Sequence, residues 1–371
     1  MKIVVVGGWA PSLVSFRGQL LRAIVARGHQ VIAFAADGTP ETRAALAGFG
    51  VEFHDLPLNR SGVNPLADSR LLFELARRLR ALKPDRYFGY NVKPVIYGGM
   101  AAAALRVPHR TALVTGLGYP FLDQHKLHRR ALKAVVQRLY RTGLAGYHTV
   151  VFHNRDDRAD AEALGIVPER ARVLMTNGSG VDLTHFTQAP PPTGPVTFLY
   201  VGRLARYKGI FDFVEAARLL RERAPEVRCQ VLGWLDPHPS AASLGDLERW
   251  QRDGIIEYLG ETKDVRPYLR AASALVLPSF REGTPRSCLE AMATGRAIIT
   301  TDVPGCRETV IAGETGLLAP VRDPVAMAAA MAELAADPAR LARMGERGRT
   351  FAEEKYDVNK VNAVMLDAMG L

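Results

Sequence analysis

The sequence predicts an α/β chain folded as two doubly wound domains, each built on a parallel sheet, and three observations predict it. Apolar runs of strand length at 2–7, 30–35 and 51–55 alternate with segments of helical period at 15–27 and 66–82, the rhythm of consecutive parallel βαβ units. The strand pattern restarts at 196–201 with a second set of core residues, after the stiff, apolar-poor stretch QAPPPTGP at 188–195. A chain of 371 residues with 48% hydrophobic content is long for one core and ample for two. The expected division is 1–187, a linker at 188–195, and 196–371.

In the first half, the strand at 2–7 ends at Gly7-Gly8. The helix at 15–27 turns Leu20, Leu21, Ile24 and Val25 inward and stops at Gly28-His29. Gly7-Gly8-Trp9-Ala10-Pro11 lacks the three spaced glycines of a dinucleotide turn, which argues against a nicotinamide dehydrogenase. Further strands are expected near Tyr87 and at 111–114. The segments directly after them, Tyr90-Asn91-Val92-Lys93-Pro94 and Thr115-Gly116-Leu117-Gly118-Tyr119, fall where loops line the cleft of an α/β sheet. At 125–144, Leu127, Ala131, Ala134, Val135, Leu139 and Leu144 follow helical spacing beneath a basic surface of Lys126, Arg129, Arg130, Lys133, Arg138 and Arg141. FHNRDD at 152–157 and NGSGVD at 177–182 close the first domain, the latter with glycines suited to a loop at a cleft.

In the second half, the strand at 196–201 leads into Gly202-Arg203-Leu204-Ala205-Arg206-Tyr207-Lys208-Gly209 and a helix at 211–223. A basic pair at the C-terminal end of a domain's first strand suits a diphosphate: Arg203 offers a planar fork and Lys208 a mobile point charge. Then come a strand at 229–232, a helix at 242–252, a strand at 255–259 and a short segment at 265–271. The most informative stretch is 274–301, ALVLPSFREGTPRSCLEAMATGRAIITT, in which a buried strand ends at Pro278-Ser279. A helix is expected just after Gly283, with Thr284 as N-cap and Pro285 at the first helical position. The N–H groups of Arg286, Ser287 and Cys288 would then offer a phosphate site, bracketed by Glu282 and Glu290. Segments at 308–311 and 316–319 and helices at 324–335, 338–346 and 358–369 complete the chain.

Composition narrows the partners. The net charge of +10 belongs to the first half: residues 1–190 carry 25 Lys and Arg against 14 Asp and Glu, and residues 191–371 carry 23 against 24. An acidic partner near the first half is implied, a membrane surface, a lipid phosphate or a nucleic acid. No run approaches the ~18 apolar residues of a membrane span, and no secretory signal is read. Cys229, Cys288 and Cys306 are odd in number and lack metal-ligand spacing, as expected in a reducing cytoplasm.

Glu282-x7-Glu290, with Pro285, Ala291, Gly295 and Asp302-x-Pro304-Gly305 around it and Arg203 and Lys208 before it, resembles the signature of the family 4 retaining glycosyltransferases of the GT-B fold. The resemblance implies two Rossmann-like domains facing across a cleft, the final helix crossing back to the first. It implies catalytic roles for Glu282, on the donor sugar's hydroxyls, and for Arg203 and Lys208, on the departing diphosphate. Glu290 would accept from the nucleotide ribose, and Gly283, Thr284, Pro285, Arg286 and Ser287 would complete the donor site. No cofactor and no metal are implied, and no Asp-x-Asp occurs in the chain.

The loops of the first half resemble those of a narrower set of bacterial members that extend undecaprenyl-diphosphate-linked sugars, among them N-acetylgalactosaminyltransferases acting on diacetylbacillosaminyl-diphospho-undecaprenol. By this resemblance Gly8, Asn91, Lys93, Thr115, Gly116 and Tyr119 would hold the acceptor. Many family 4 members carry a histidine in the corresponding loop; Gly116-Leu117-Gly118 stands there here, so no catalytic histidine is assigned. The implied partners are a nucleotide-diphosphate sugar, in particular a UDP-sugar such as UDP-N-acetylhexosamine, and a polyprenyl-diphosphate-linked saccharide. An anionic membrane surface would face Lys126, Arg129, Arg130 and Lys133, and no nucleic acid is implied. The expected location is the cytoplasm, peripheral on the inner face of the plasma membrane. Competing readings are a transferase with a soluble acceptor, and a non-catalytic or epimerase-type protein on the same fold.

Overall fold

The computed structural model describes residues 1–59, 62, 64–116, 127–236, 238 and 240–371, with backbone alone at 127–131. Its contacts divide the chain into two units, Met1–Ser179 with Asn359–Leu371, and Gly180–Val358.

The first unit is built on an all-parallel sheet of β1 (Lys2–Val6), β2 (Gln30–Ala35), β3 (Val51–Asp55), β4 (Arg86–Tyr90), β5 (His109–Val114), β6 (Thr149–Phe152) and β7 (Arg172–Met175), in the order β3-β2-β1-β4-β5-β6-β7. β1 lies at its centre, with Val4 opposite Ile32 on one side and Tyr87 on the other. Alternation splits its side chains between two cores, as covering both faces of a parallel sheet requires. Val4 and Val6 pack with Leu71, Leu75 and Leu79 of the helix Pro65–Leu82. Ile3 and Val5 pack with Leu20, Leu21 and Ile24 of the helix Gly18–Ala26, and with Met365, Leu366, Ala368 and Met369 of the helix Val358–Met369. The sheet also fixes the end of this last helix: the Thr111 hydroxyl donates to the Ala368 carbonyl and Arg86 Nε to that of Met369, each at 3.0 Å.

The single helix expected at 15–27 is two, Ala10–Ser15 and Gly18–Ala26. The chain turns between them at Phe16-Arg17, and Arg17 is buried there with its guanidinium 5.1 Å from the centre of the Tyr90 ring.

The second unit carries β8 (Thr197–Val201), β9 (Arg228–Leu232), β10 (Glu257–Tyr258), β11 (Ala274–Leu277), β12 (Ala297–Thr301) and β13 (Gly316–Ala319), parallel throughout, in the order β10-β9-β8-β11-β12-β13. The strand expected at 255–259 contracts to two residues, and the helix expected at 338–346 runs on as Pro338–Phe351. Glycine explains the extension, because a Cβ on Gly345 would lie 2.2 Å from the Gly295 carbonyl oxygen, and the helix packs flush on that turn.

Residues 188–195 lie inside the second unit. Arg296, only 2% exposed, holds part of them in place by donating to the carbonyls of Ala189 at 3.3 Å and Pro190 at 2.8 Å, and also to those of Leu269 and Arg270.

Both sheets reverse direction beside their first strand: β1 lies between β2 and β4, and β8 between β9 and β11. At such switch points the loops leaving two adjacent strands diverge, and a crevice opens at the carboxyl ends of the strands. In the second unit those loops are 202–209 and 278–285; in the first they begin at Gly7 and Asn91.

Candidate functional site

In the second unit, two glycines and a proline bring the basic loop and the acidic loop together. Gly209, at φ 77°, lies so close to the end of β11 that a Cβ would sit 1.9 Å from the Pro278 carbonyl oxygen. The Phe280 N–H donates to the Tyr207 carbonyl at 2.9 Å, tying the two loops, and the buried Tyr200 hydroxyl donates to the Arg203 carbonyl at 2.7 Å. On the far side, the Glu282 N–H donates to the Pro304 carbonyl at 3.0 Å, and a Cβ on Gly305 would lie 2.2 Å from the Glu282 carbonyl oxygen. Asp302-x-Pro304-Gly305 is thus the floor beneath the Glu282 loop.

Lys208 and Glu282, 74 positions apart in sequence, meet in this frame with Nζ 2.5 Å from Oε1, and the Ser279 hydroxyl donates to the same oxygen at 2.8 Å. Arg203 is more open. Its side chain is 38% exposed, its guanidinium stands 5.2 Å from the Tyr207 ring centre, and Nη1 lies 3.3 Å from Asp236 Oδ2. The site is an array of two cations and two carboxylates, Glu282 and Asp236, on rigid backbone. It offers acceptors to a polyol and donors to an anion.

The helix that follows is Arg286–Ala293, and here the expectation needs correction. Pro285 is the N-cap, extended at ψ 116°, and the Thr284 hydroxyl donates to the Gly283 carbonyl at 2.8 Å instead of capping. The Cys288 N–H donates to the Pro285 carbonyl at 3.1 Å, so the expected phosphate site contracts to the first two helical positions, Arg286 and Ser287. Glu290 is 8% exposed, with Arg286 Nε 2.7 Å from Oε1. Burial raises its pKa above the usual carboxylate range, and Arg286 opposes that shift.

A carboxyl raised in the folded state adds stability when protonated and loses that contribution as pH rises through its folded pKa. Ionised Glu290 therefore costs the fold at neutral pH. Glu290→Gln is expected to melt no lower than wild type at pH 7, while nucleoside diphosphate affinity falls by about 5–100-fold, as for loss of a charged hydrogen-bond acceptor. Calorimetric titration and a melting curve on the same preparation check both halves.

The first unit brings together three of the six residues assigned to it. The Gly8 N–H donates to Asn91 Oδ1 at 3.1 Å, and Asn91 Nδ2 donates to the Thr115 hydroxyl at 3.2 Å, joining the loops after β1, β4 and β5. Asn91 sits at φ 69°, a left-handed backbone that asparagine tolerates better than most residues. Gly116 follows at φ 140°. Lys93 does not join them: its ammonium lies 2.7 Å from Asp68 Oδ1 in a nearly buried pair, and Tyr97 donates to the other Asp68 oxygen at 3.2 Å. Nothing local in the sequence marks Asp68 as that partner. His153, in the FHNRDD segment, is buried; loss of solvent, aided by Arg17, lowers its pKa to about 3, so it is neutral at pH 7.

Tyr119 and Lys126 lie outside the described residues, as do the side chains of Arg129 and Arg130, which fall on the helix Leu127–Leu144. The inner face of this helix keeps Leu139 and Leu144, as expected, but takes Val136 and Tyr140 in place of Ala134 and Val135. Val136, Tyr140 and Leu144 are buried, Val135 is 49% exposed and Lys133 is half-buried. Arg141, expected on the basic surface, donates to the carbonyls of Leu164 and Gly165.

Comparison with known proteins agrees with this architecture. Residues 15–178 match the model of the glycosyl transferase 4-like domain, and residues 195–337 match that of the glycosyl transferases group 1. The two matches span most of the chain, which belongs to the GT-B glycosyltransferases. It is similar to the N,N'-diacetylbacillosaminyl-diphospho-undecaprenol alpha-1,3-N-acetylgalactosaminyltransferase of Campylobacter jejuni, with 28% identity over 84% of this chain and 83% of that one. Among solved structures, sucrose-phosphate synthase from Thermosynechococcus elongatus superposes with a TM-score of 0.78 at 18% identity, over 98% of this chain and 97% of that one. The Anabaena protein HepE in complex with UDP-glucose also gives 0.78, at 16% identity, over 100% and 99%. Both share the fold.

Proposed function

We propose that this glycosyltransferase moves a sugar from a UDP-sugar, with retention of configuration, to a polyprenyl-diphosphate-linked saccharide. The observation that carries the reading is the convergence of Lys208, Glu282 and Arg203 at the switch point of the second sheet. Breaking the bond between C1 and the phosphate oxygen leaves positive character on the sugar ring and places negative charge on the departing diphosphate. Lys208, Arg203 and the first turn of the helix Arg286–Ala293 would stabilise that charge. Glu282 would accept hydrogen bonds from the sugar's hydroxyls, and Glu290 from the ribose. The UDP of the solved relative and the undecaprenyl-linked substrate of the Campylobacter relative support the choice of donor and acceptor.

The test is incubation with a panel of radiolabelled nucleotide sugars and membrane extract, followed by solvent partition. Label entering the organic phase only with a UDP-sugar and intact enzyme is expected. Release of free sugar or an epimerised nucleotide sugar, without transfer, would overturn the reading.

Because fixed cations meet the leaving group, turnover is expected to persist in EDTA at no less than about half its rate without chelator. Loss of activity that magnesium or manganese restores would contradict this role for Lys208 and Arg203.

A further inference from the structure

The helix Pro65–Leu82 has two unlike faces. Leu71, Leu75 and Leu79 fasten it to the first unit's core, and Asp68, beside them, holds Lys93. At ~100° per residue, Leu66, Arg70, Phe73, Arg77 and Arg80 fall on the opposite side within an arc of about 80°. All five are exposed, and Leu66 and Phe73 at 77% and 72% are the most exposed large apolar side chains among the described residues. Leaving a phenylalanine and a leucine in water on a helix this well fastened gains the fold nothing.

Charge says what covers them. Arg70, Arg77 and Arg80 flank the two apolar side chains, and exposed Lys83 caps the helix. The only acid on this side, Glu74, is bridged by Arg77 Nη2 at 2.7 Å and Arg78 Nε at 2.5 Å, which with burial opposing hold its carboxyl down at about 2. Two exposed apolar side chains about 10 Å apart, from Leu66 to Phe73 at 1.5 Å per residue, within a cationic stripe about 21 Å long from Leu66 to Arg80, are the pattern of a helix lying in the plane of an anionic bilayer surface. No helix among the described residues is long and apolar enough to cross a membrane.

We propose that the helix Pro65–Leu82 docks flat on an anionic lipid surface, Leu66 and Phe73 entering the headgroup boundary and Arg70, Arg77 and Arg80 lying against lipid phosphates. This deepens the proposed function, from which it takes the lipid-borne acceptor. It is a different face from the one expected at 125–144, where Lys126 and the side chains of Arg129 and Arg130 lie outside the described residues.

The full chain is sedimented with vesicles of phosphatidylcholine alone and with a third phosphatidylglycerol. Binding to the anionic vesicles only, weakened at least ~10-fold between 0.05 and 0.5 M salt, is expected. Leu66→Ser with Phe73→Ser should lower it by at least ~10-fold. Arg70→Gln with Arg80→Gln should lower it similarly and flatten the salt dependence. Unchanged binding in both variants, or equal binding of wild type to both vesicle types, overturns the proposal. So does concentration-dependent dimerisation without vesicle binding that Phe73→Ser abolishes, which would make the face a contact between two copies. Transfer to detergent-dispersed lipid acceptor is measured in parallel. Its absence in a protein that binds vesicles would sink the function and leave the surface standing, and its presence without vesicle binding would do the reverse.

Discussion

Replacing Lys208 with alanine is expected to lower kcat by at least ~10²-fold, with little change in KM. Two losses combine. On the proposed mechanism the departing diphosphate loses a fixed positive charge, and Glu282 loses the cation 2.5 Å from its oxygen, to which the Ser279 hydroxyl also donates. The Lys208→Ala, Glu282→Gln double variant separates these losses. If the carboxylate acts mainly by holding Lys208, the double variant should be no slower than Lys208→Ala. If it binds the sugar independently, the penalties should multiply. Arg203→Ala should act on the same step, and more weakly, because Arg203 is more exposed and part of its charge already answers Asp236. Wild-type turnover in both single variants would remove the array from catalysis.

The largest stability effect is expected away from the chemistry, at Arg296. This guanidinium donates to backbone carbonyls at Leu269, Arg270, Ala189, Pro190 and Gly295 and is almost wholly enclosed. Arg296→Met fills much of the volume but leaves those carbonyls without their donor, a loss of about 3–5 kcal/mol. Lysine should rescue little of it, since one ammonium cannot reproduce a planar fork with five N–H groups. Urea unfolding of the full chain, followed by tryptophan fluorescence from Trp250 in the second unit's core, gives the midpoint shift. An unshifted midpoint would show that water replaces the fork at no cost.

Arg296 also shows where sequence reading stops. QAPPPTGP reads as a linker because proline and threonine replace apolar residues; what fastens it is a side chain 106 positions away, invisible to any local pattern. The ion pair of Lys93 is hidden for the same reason, since Asp68 stands 25 positions ahead of it in another helix. The two sheets, by contrast, were legible because buried parallel strands are continuous apolar runs closed by glycine or proline, and those runs set the loops that carry Gly8, Asn91, Arg203, Lys208 and Glu282. Errors of one position arose where backbone angles decide. Pro285 adopts ψ 116° and becomes the cap, and the helix at 127–144 buries Val136 where alternation of small and apolar residues equally suited Val135.

The first unit is discontinuous in sequence, and this has a consequence for synthesis. Residues 180–358 form one unbroken stretch that can collapse as soon as it clears the ribosome. The first sheet, made earlier, has Leu20, Leu21 and Ile24 to cover part of its Ile3 and Val5 face, but cannot complete that core until Met365, Leu366, Ala368 and Met369 have been translated. At roughly 5–20 residues per second, the 180 or so intervening residues leave that core incomplete for about ten to forty seconds. During that interval the nascent chain presents an apolar sheet face covered by its early helices alone, so the half made first is the half that finishes last and the one that most needs a chaperone.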